Sequence, residues 1–312
     1  MIITYRSSRH SYSTIRNVVS SMELVKKHQR TEIALGFFLL SHPLPVLLHI
    51  VAVTVFTLLA AWSHPLWWVI VLVIAAHAAM QVSIAMINDY CDRDLDAASK
   101  PGKPIPRGLV TPRQALIGGL ILIGVMIVLL LPLSPLALLV SLCYLALGQA
   151  YNLKFKSTPW SGVVFALAMP LIPLYAFVGV GRTLPFLFWL VPVGFFLGVA
   201  LNLANSLPDL ENDAIHGAKT LAVFLGLKRS FIACQVLVVL AASLIGILMV
   251  LRFVSAQPWI IVVTLILTCL AIEAMSLFFG PEKSASSRKY YFYLVALTCI
   301  LLAGGWLIGV TA

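Results

Sequence analysis

From residue 42 onward the chain alternates long apolar runs with short polar breaks. Each run approaches the roughly 20 residues that an α-helix needs to cross a bilayer core. Nine such segments are predicted, at 43–62, 66–87, 112–131, 135–152, 160–181, 184–205, 226–251, 258–280 and 290–311. Several open on a polar residue followed by proline: Thr111-Pro112, Ser134-Pro135, Thr158-Pro159 and Gln257-Pro258. A side-chain oxygen there can cap the first free amides, and proline's missing amide is not needed in a first turn. Pro170, Pro173 and Pro192 fall inside segments and predict kinks. Residues 1–41 form a separate unit: a basic, serine-rich tail, then an interfacial helix over about 31–40. No apolar core with a small-residue cleavage site follows the basic stretch, so it does not read as a secretory signal. Residues 42–312 form one nine-helix domain.

Composition agrees with this pattern. Of 312 residues, 61% are hydrophobic and only 10% charged, with mean hydropathy +1.02. That is a polytopic helical membrane protein. The net charge of +10 does not indicate nucleic acid, because 19 of the 21 Lys and Arg fall on one side of the predicted topology. Only Arg182 and Arg252 fall on the other. Positive charge marks the cytoplasmic side. The tail and the loops after spans 2, 4, 6 and 8 are therefore expected in the cytoplasm and the C-terminus outside, in the plasma or inner membrane. The five cysteines form no C-x-x-C pair and read as small core residues.

Acid is scarce and clustered. Asn88, Asp92 and Asp96 follow the spacing N-x3-D-x3-D, and so do Asn205, Asp209 and Asp213, each offset by 117 residues. Of 11 carboxylates, four lie in the first cluster and three in the second. Four-residue spacing puts such side chains on one helix face, where like charges repel unless a cation compensates them. Hard oxygen donors suit Mg²⁺, held by one or two carboxylates plus substrate phosphates. Two clusters suggest two metal-loaded faces gripping one diphosphate. Both end spans of the same direction, so the two motif-bearing halves form a parallel repeat with the motifs facing across a central cavity.

Base follows each cluster: Lys100, Lys103 and Arg107 in a Pro/Gly loop after the first, and Lys219 after the second. The loop after span 4 adds Tyr151, Asn152, Lys154 and Lys156. Acid for metal with base for phosphate oxygens is the composition of a diphosphate site. Lys103, Lys154 and Lys219 read as functional; Lys228, Arg229, Lys283, Arg288 and Lys289 read as charges set by topology. His49 and His77 read as interior, hydrogen-bonded residues. Glu273 lies deep in span 8 and reads equally as a functional group or as a neutral, hydrogen-bonded glutamic acid. A secondary transporter would share the repeat, but it would place coupling acids inside the spans.

These motifs resemble those of the UbiA-type intramembrane prenyltransferases. Asn88-Asp89-Tyr90-x-Asp92-Arg93-x-x-Asp96 is similar to that family's first aspartate-rich motif, and Asp209-x3-Asp213-x3-Gly217-x-Lys219-Thr220-Leu221 to its second. The Tyr151/Lys154 region resembles its tyrosine-lysine loop, and the likeness runs from about residue 42 to the C-terminus. Three positions depart: Lys103 and His42 stand where many members have arginine, and Ser206 where many have aspartate. The resemblance implies an all-α protein with nine transmembrane helices around a lipid-accessible cavity. It implies Mg²⁺-dependent transfer of an isoprenyl group from a polyprenyl diphosphate to a lipophilic, usually aromatic, acceptor such as a quinone- or chlorophyll-type precursor. Asp92, Asp96, Asp209 and Asp213, with Asn88 and Asn205, would hold the metal. Lys103 and Tyr151 would assist the chemistry, and Lys100, Arg107, Lys154, Lys156 and Lys219 would hold the substrate. A membrane terpene cyclase would use the same diphosphate site without an acceptor.

Overall fold

The computed structural model describes residues 31–183, 185–215 and 217–311. The basic tail lies outside the described residues. Among those described there is helix and no strand, and nine helices are long and apolar enough to cross a membrane. Helix α1 (Thr31–Leu40) precedes α2 (Pro43–Ala61), α3 (Trp67–Ser99), α4 (Pro112–Leu130) and α5 (Pro135–Ala150). A π-helical turn, Tyr151–Phe155, extends α5. Then come α6 (Ser161–Ala168), α7 (Leu171–Gly179), α8 (Leu190–Ser206), α9 (Leu210–Ile215), α10 (Leu221–Leu225), α11 (Leu227–Val250), α12 (Pro258–Phe278) and α13 (Ala285–Thr311).

Several local features differ from the sequence expectation. The prediction ends span 2 at residue 87, but α3 runs on through the first acidic cluster to Ser99. Span 5 is kinked at Pro170 as expected: α6 and α7 make one span, Ser161–Gly179, with Met169 and Pro170 helical at the junction, and proline supplies no amide and clashes with the preceding turn. Pro192 produces no kink, since α8 begins only at Leu190 and this proline lies in its first turn. Of the four polar-Pro starts, two cap as expected: Thr111 forms a capping box with Gln114, and Ser134 accepts from the Leu136 amide. Gln257 starts α12 without a side-chain cap, and the Thr158 hydroxyl turns back to the Phe155 carbonyl.

The helices close on themselves, with α2 packed on α3 and α7 on one side and on α13 on the other. Lipid-facing side chains such as Val71, Ile121 and Leu270 are exposed. Trp62, Trp67 and Trp68 are exposed where α2 ends and α3 begins. Amphipathic indoles favour a membrane-water boundary. Helix α1 docks through Leu40 in a small cluster with Met86, Val110 and Ala115.

Candidate active site

The two acidic motifs come together in one cleft, and their backbones differ. The first is continuous helix, so Asp89, Asp92 and Asp96 share a face while Asp94 points outward to Arg93. The second is interrupted. Asn205 is on α8, Asp209 in a 3₁₀ turn over Leu207–Asp209, and Asp213 on the short α9. Pro208 accounts for the break, because it cannot donate into the helical ladder.

The cleft is lined by Asp92, Asp96, Ser99, Lys100, Tyr151, Lys156, Asn205, Asp209 and Asp213, among others. Each of three carboxylates is paired with a lysine. Lys156 pairs with Asp92, Lys100 with Asp209 at 2.7 Å and Lys103 with Asp96 at 2.7 Å. The π turn places Lys156 there: its amide bonds the Tyr151 carbonyl at 2.9 Å, an i to i+5 register that brings residues 151 and 156 to the same side. In a regular helix Lys154 would share that face. Here Lys154 is exposed and lies outside the cleft lining, as do Lys219 and Arg107. Lys219 contributes through its backbone, whose amide donates to the Ser157 carbonyl at 2.9 Å.

Behind the cleft lies a polar layer that sequence reasoning missed. Asp89 is 2% exposed. Its Oδ1 accepts from Lys103 Nζ at 2.8 Å and meets His42 Nε2 at 3.0 Å, while Oδ2 is buried without a partner. His42 stands just before α2 with φ 48°, a left-handed conformation uncommon outside glycine. The only sequence signal for this pair was the acid next to Asn88 and the His42-Pro43 start. Asn88 is set back from the cleft, donating from its amide to Asn152 Oδ1 at 2.9 Å, and Asn152 in turn donates to the Ile84 carbonyl. Lys103 thus bridges two carboxylates. Burial alone would lower its pKa, but the charge of Asp89 and the hydrogen bonds to Asp89 and Asp96 outweigh that and hold the ammonium above its usual value. Replacing Lys103 by alanine should leave Asp89 buried beside His42 alone and cost about 3 kcal/mol. A thermal melt in detergent measures this, and Lys103→Arg should recover most of the loss.

One expectation fails in this region. Arg288 is not a topology charge: it is 7% exposed and its Nη1 donates to both Glu211 oxygens at 2.6 and 2.7 Å. Glu211, counted above with the acidic cluster, is therefore tied to α13 and does not line the cleft. Glu273 is exposed on α12, away from the cleft. His77 fits the interior reading, bonded to Gln81 at 3.2 Å and stacked on Tyr175 at 5.6 Å.

Next to the cleft lies an apolar cavity of about 830 Å³, its open mouth included. Its wall comes from α2, α6, α7, α8 and α13 and carries His49, Phe56, Phe165, Leu197, Phe292 and Ala303. The two spaces adjoin at Tyr151, which lines the cleft, and Phe165, which lines the cavity; their rings lie 5.4 Å apart, edge to face.

No three His, Cys, Asp or Glu side chains among the described residues stand close enough to cage a metal by themselves. The donor set still fits Mg²⁺, which takes one or two carboxylates from a protein and the rest from water and phosphate oxygens. Asp92 with Asp96, and Asp209 with Asp213, are the pairs that would hold it.

Residues 48–307 match the model of the UbiA prenyltransferase family, and the chain belongs to that family. It is 31% identical to a digeranylgeranylglyceryl phosphate synthase of Pyrococcus horikoshii, over 65% of this chain and 72% of that protein. It is 28% identical to a 4-hydroxybenzoate octaprenyltransferase of Citrobacter koseri, over 61% of this chain and 69% of that one. The chain spans about half the length of several other curated relatives it matches, 52% in the Thermococcus sibiricus protein. In three dimensions it is similar to a UbiA homologue from Archaeoglobus fulgidus solved with DMAPP and Mg²⁺. The TM-score is 0.67 at 18% identity, covering 88% of this chain and 99% of that one.

Proposed function

We propose that this protein transfers an isoprenyl group from a polyprenyl diphosphate to a lipophilic acceptor within the membrane, with Mg²⁺ as cofactor. One observation carries the reading: a cleft of paired carboxylates and lysines adjoins an apolar cavity across the Tyr151–Phe165 edge. A diphosphate has the charge for the first space and a prenyl chain the surface for the second. The carboxylates lie at the ends of spans beside bases, which fits phosphate recognition better than the mid-span coupling acids of a transporter.

Bound Mg²⁺ would neutralise diphosphate oxygens as the leaving group departs. The remaining work falls to the chain. Lys100 and Lys156, which stand beside Asp209 and Asp92, would donate to the diphosphate oxygens. The allylic C–O bond breaks with its electron pair leaving on the diphosphate. The allylic cation then faces the Tyr151 and Phe165 rings, whose π faces favour positive charge. The apolar wall keeps water from quenching it. The acceptor's nucleophilic atom forms the new bond and loses a proton.

The relatives named above differ in acceptor, and an acceptor panel decides between them. Membranes containing the protein are given geranylgeranyl diphosphate and Mg²⁺ with 4-hydroxybenzoate, with geranylgeranylglyceryl phosphate, or with neither. A prenylated product with one acceptor and none without is the expected result. A hydrocarbon formed without acceptor would indicate a cyclase, and no diphosphate release under any condition would refute the proposal.

We further propose that the cleft faces the cytoplasm, on the basis of the 19-to-2 division of basic residues. A reporter active only outside the cytoplasm should work when fused to the C-terminus and stay silent when inserted at Gly102. The reverse pattern would mean an inverted protein.

A further inference from the structure

We infer that Arg288 is a positioning residue that aims the second carboxylate pair, and so sets affinity for a diphosphate-bound divalent cation. The inference rests on the function proposed above. The broken helix around Pro208 holds Asp209 and Asp213 on a 3₁₀ turn and a helix of under two turns. Such a segment has too few internal hydrogen bonds to fix its own direction. Arg288 supplies the fixing. Its Nη1 donates to the Leu207 carbonyl at 3.2 Å, at the start of the break, and to Glu211, at its centre. Glu211 lies two residues from each of Asp209 and Asp213, a spacing that does not share a face. Drawing Glu211 outward to α13 therefore turns both aspartates toward the cleft.

The position of Arg288 on α13 adds a second consequence. Phe292 and Ala296 follow at four-residue steps and line the apolar cavity. One face of one helix thus holds the carboxylate segment at its start and walls the cavity further along.

The test uses the full chain in nanodiscs, with geranyl diphosphate plus Mg²⁺ as the probe and Kd read by calorimetry. Arg288→Gln and Glu211→Gln should each raise Kd by about 10–100-fold, the range found when groups that orient metal ligands are removed. Arg288→Lys should fall between them and the unaltered protein, since lysine keeps the charge but replaces the guanidinium nitrogen that makes all three contacts. The Mg²⁺ concentration giving half-maximal binding should rise in parallel, which a loss of fold alone would not produce. Glu211 is exposed, so Glu211→Gln keeps the test decisive if Arg288→Gln does not fold. Unchanged Kd and Mg²⁺ dependence in Glu211→Gln and Arg288→Lys would overturn the inference. Failure of the unaltered protein to bind the probe would remove the diphosphate site itself, and this role with it.

Discussion

Asp92→Asn and Asp209→Asn are each expected to lower turnover by about a thousandfold, on the scale of losing a main electrostatic contact to a transition state, with little change in stability. Asparagine keeps the shape and one oxygen but removes the charge that a hard divalent cation requires. The effect on stability should be small because of where the pairs sit. Asp209 and Lys100 are 42% and 38% exposed, and exposed pairs contribute about 0–1 kcal/mol. Asp92 is more enclosed, but Lys156 is 37% exposed and can turn to water. Loss of turnover should therefore accompany a nearly unaltered melting temperature. Kinetics of purified variants across a Mg²⁺ series measures both pairs. Near-normal turnover in either variant would remove that pair from the metal assignment.

The two pairs differ in how far sequence could reveal their geometry. The first was readable because four-residue spacing and helix propensity agree: α3 simply continues past the apolar run into the motif. The second has the same letters and spacing, yet Pro208 divides it into three conformations. Periodicity cannot say which side chains then converge. The same limit applied after span 4. Regular helix puts Tyr151 with Lys154, whereas the π turn puts Tyr151 with Lys156, and a π turn has no clear single-sequence signature. The spans themselves were easy, since apolar length alone defines them, and their ends were read to within a few residues except where helix outlasted the apolar run.

Charge was the least readable layer. A count of bases by side gives topology, but it treats every lysine and arginine alike. The sequence count puts Arg288 and Lys283 in the same loop, yet Arg288 lies on α13 and is buried against Glu211, whereas Lys283 precedes the helix and is exposed. Likewise Asp89 and Asp94 both belong to the first cluster. Asp89 is sealed beside His42 and Lys103, and Asp94 is in solvent. Burial separates these roles, and burial depends on contacts between residues far apart in the chain.

Ala303→Trp is expected to discriminate among donors by chain length. Ala303 lines the apolar cavity from α13, 15 residues beyond Arg288, or about 22 Å along the helix from the Arg288–Glu211 contact. Only a long prenyl chain whose diphosphate sits among the carboxylates would reach it. An indole there intrudes into space that such a chain needs, and overpacking costs about 1–3 kcal/mol. Each 1.36 kcal/mol is tenfold in rate, so kcat/KM for geranylgeranyl diphosphate should fall by about tenfold to 100-fold. Dimethylallyl diphosphate, confined near Tyr151 and Phe165, should react at close to the normal rate. Competition between the two donors in one reaction, read by mass spectrometry of the products, gives the ratio directly and cancels differences in the amount of folded protein. An equal loss for both donors would mean general damage to the helix packing. No loss for either would place the prenyl chain outside this cavity and separate the cleft from the apolar space that the proposed function joins to it.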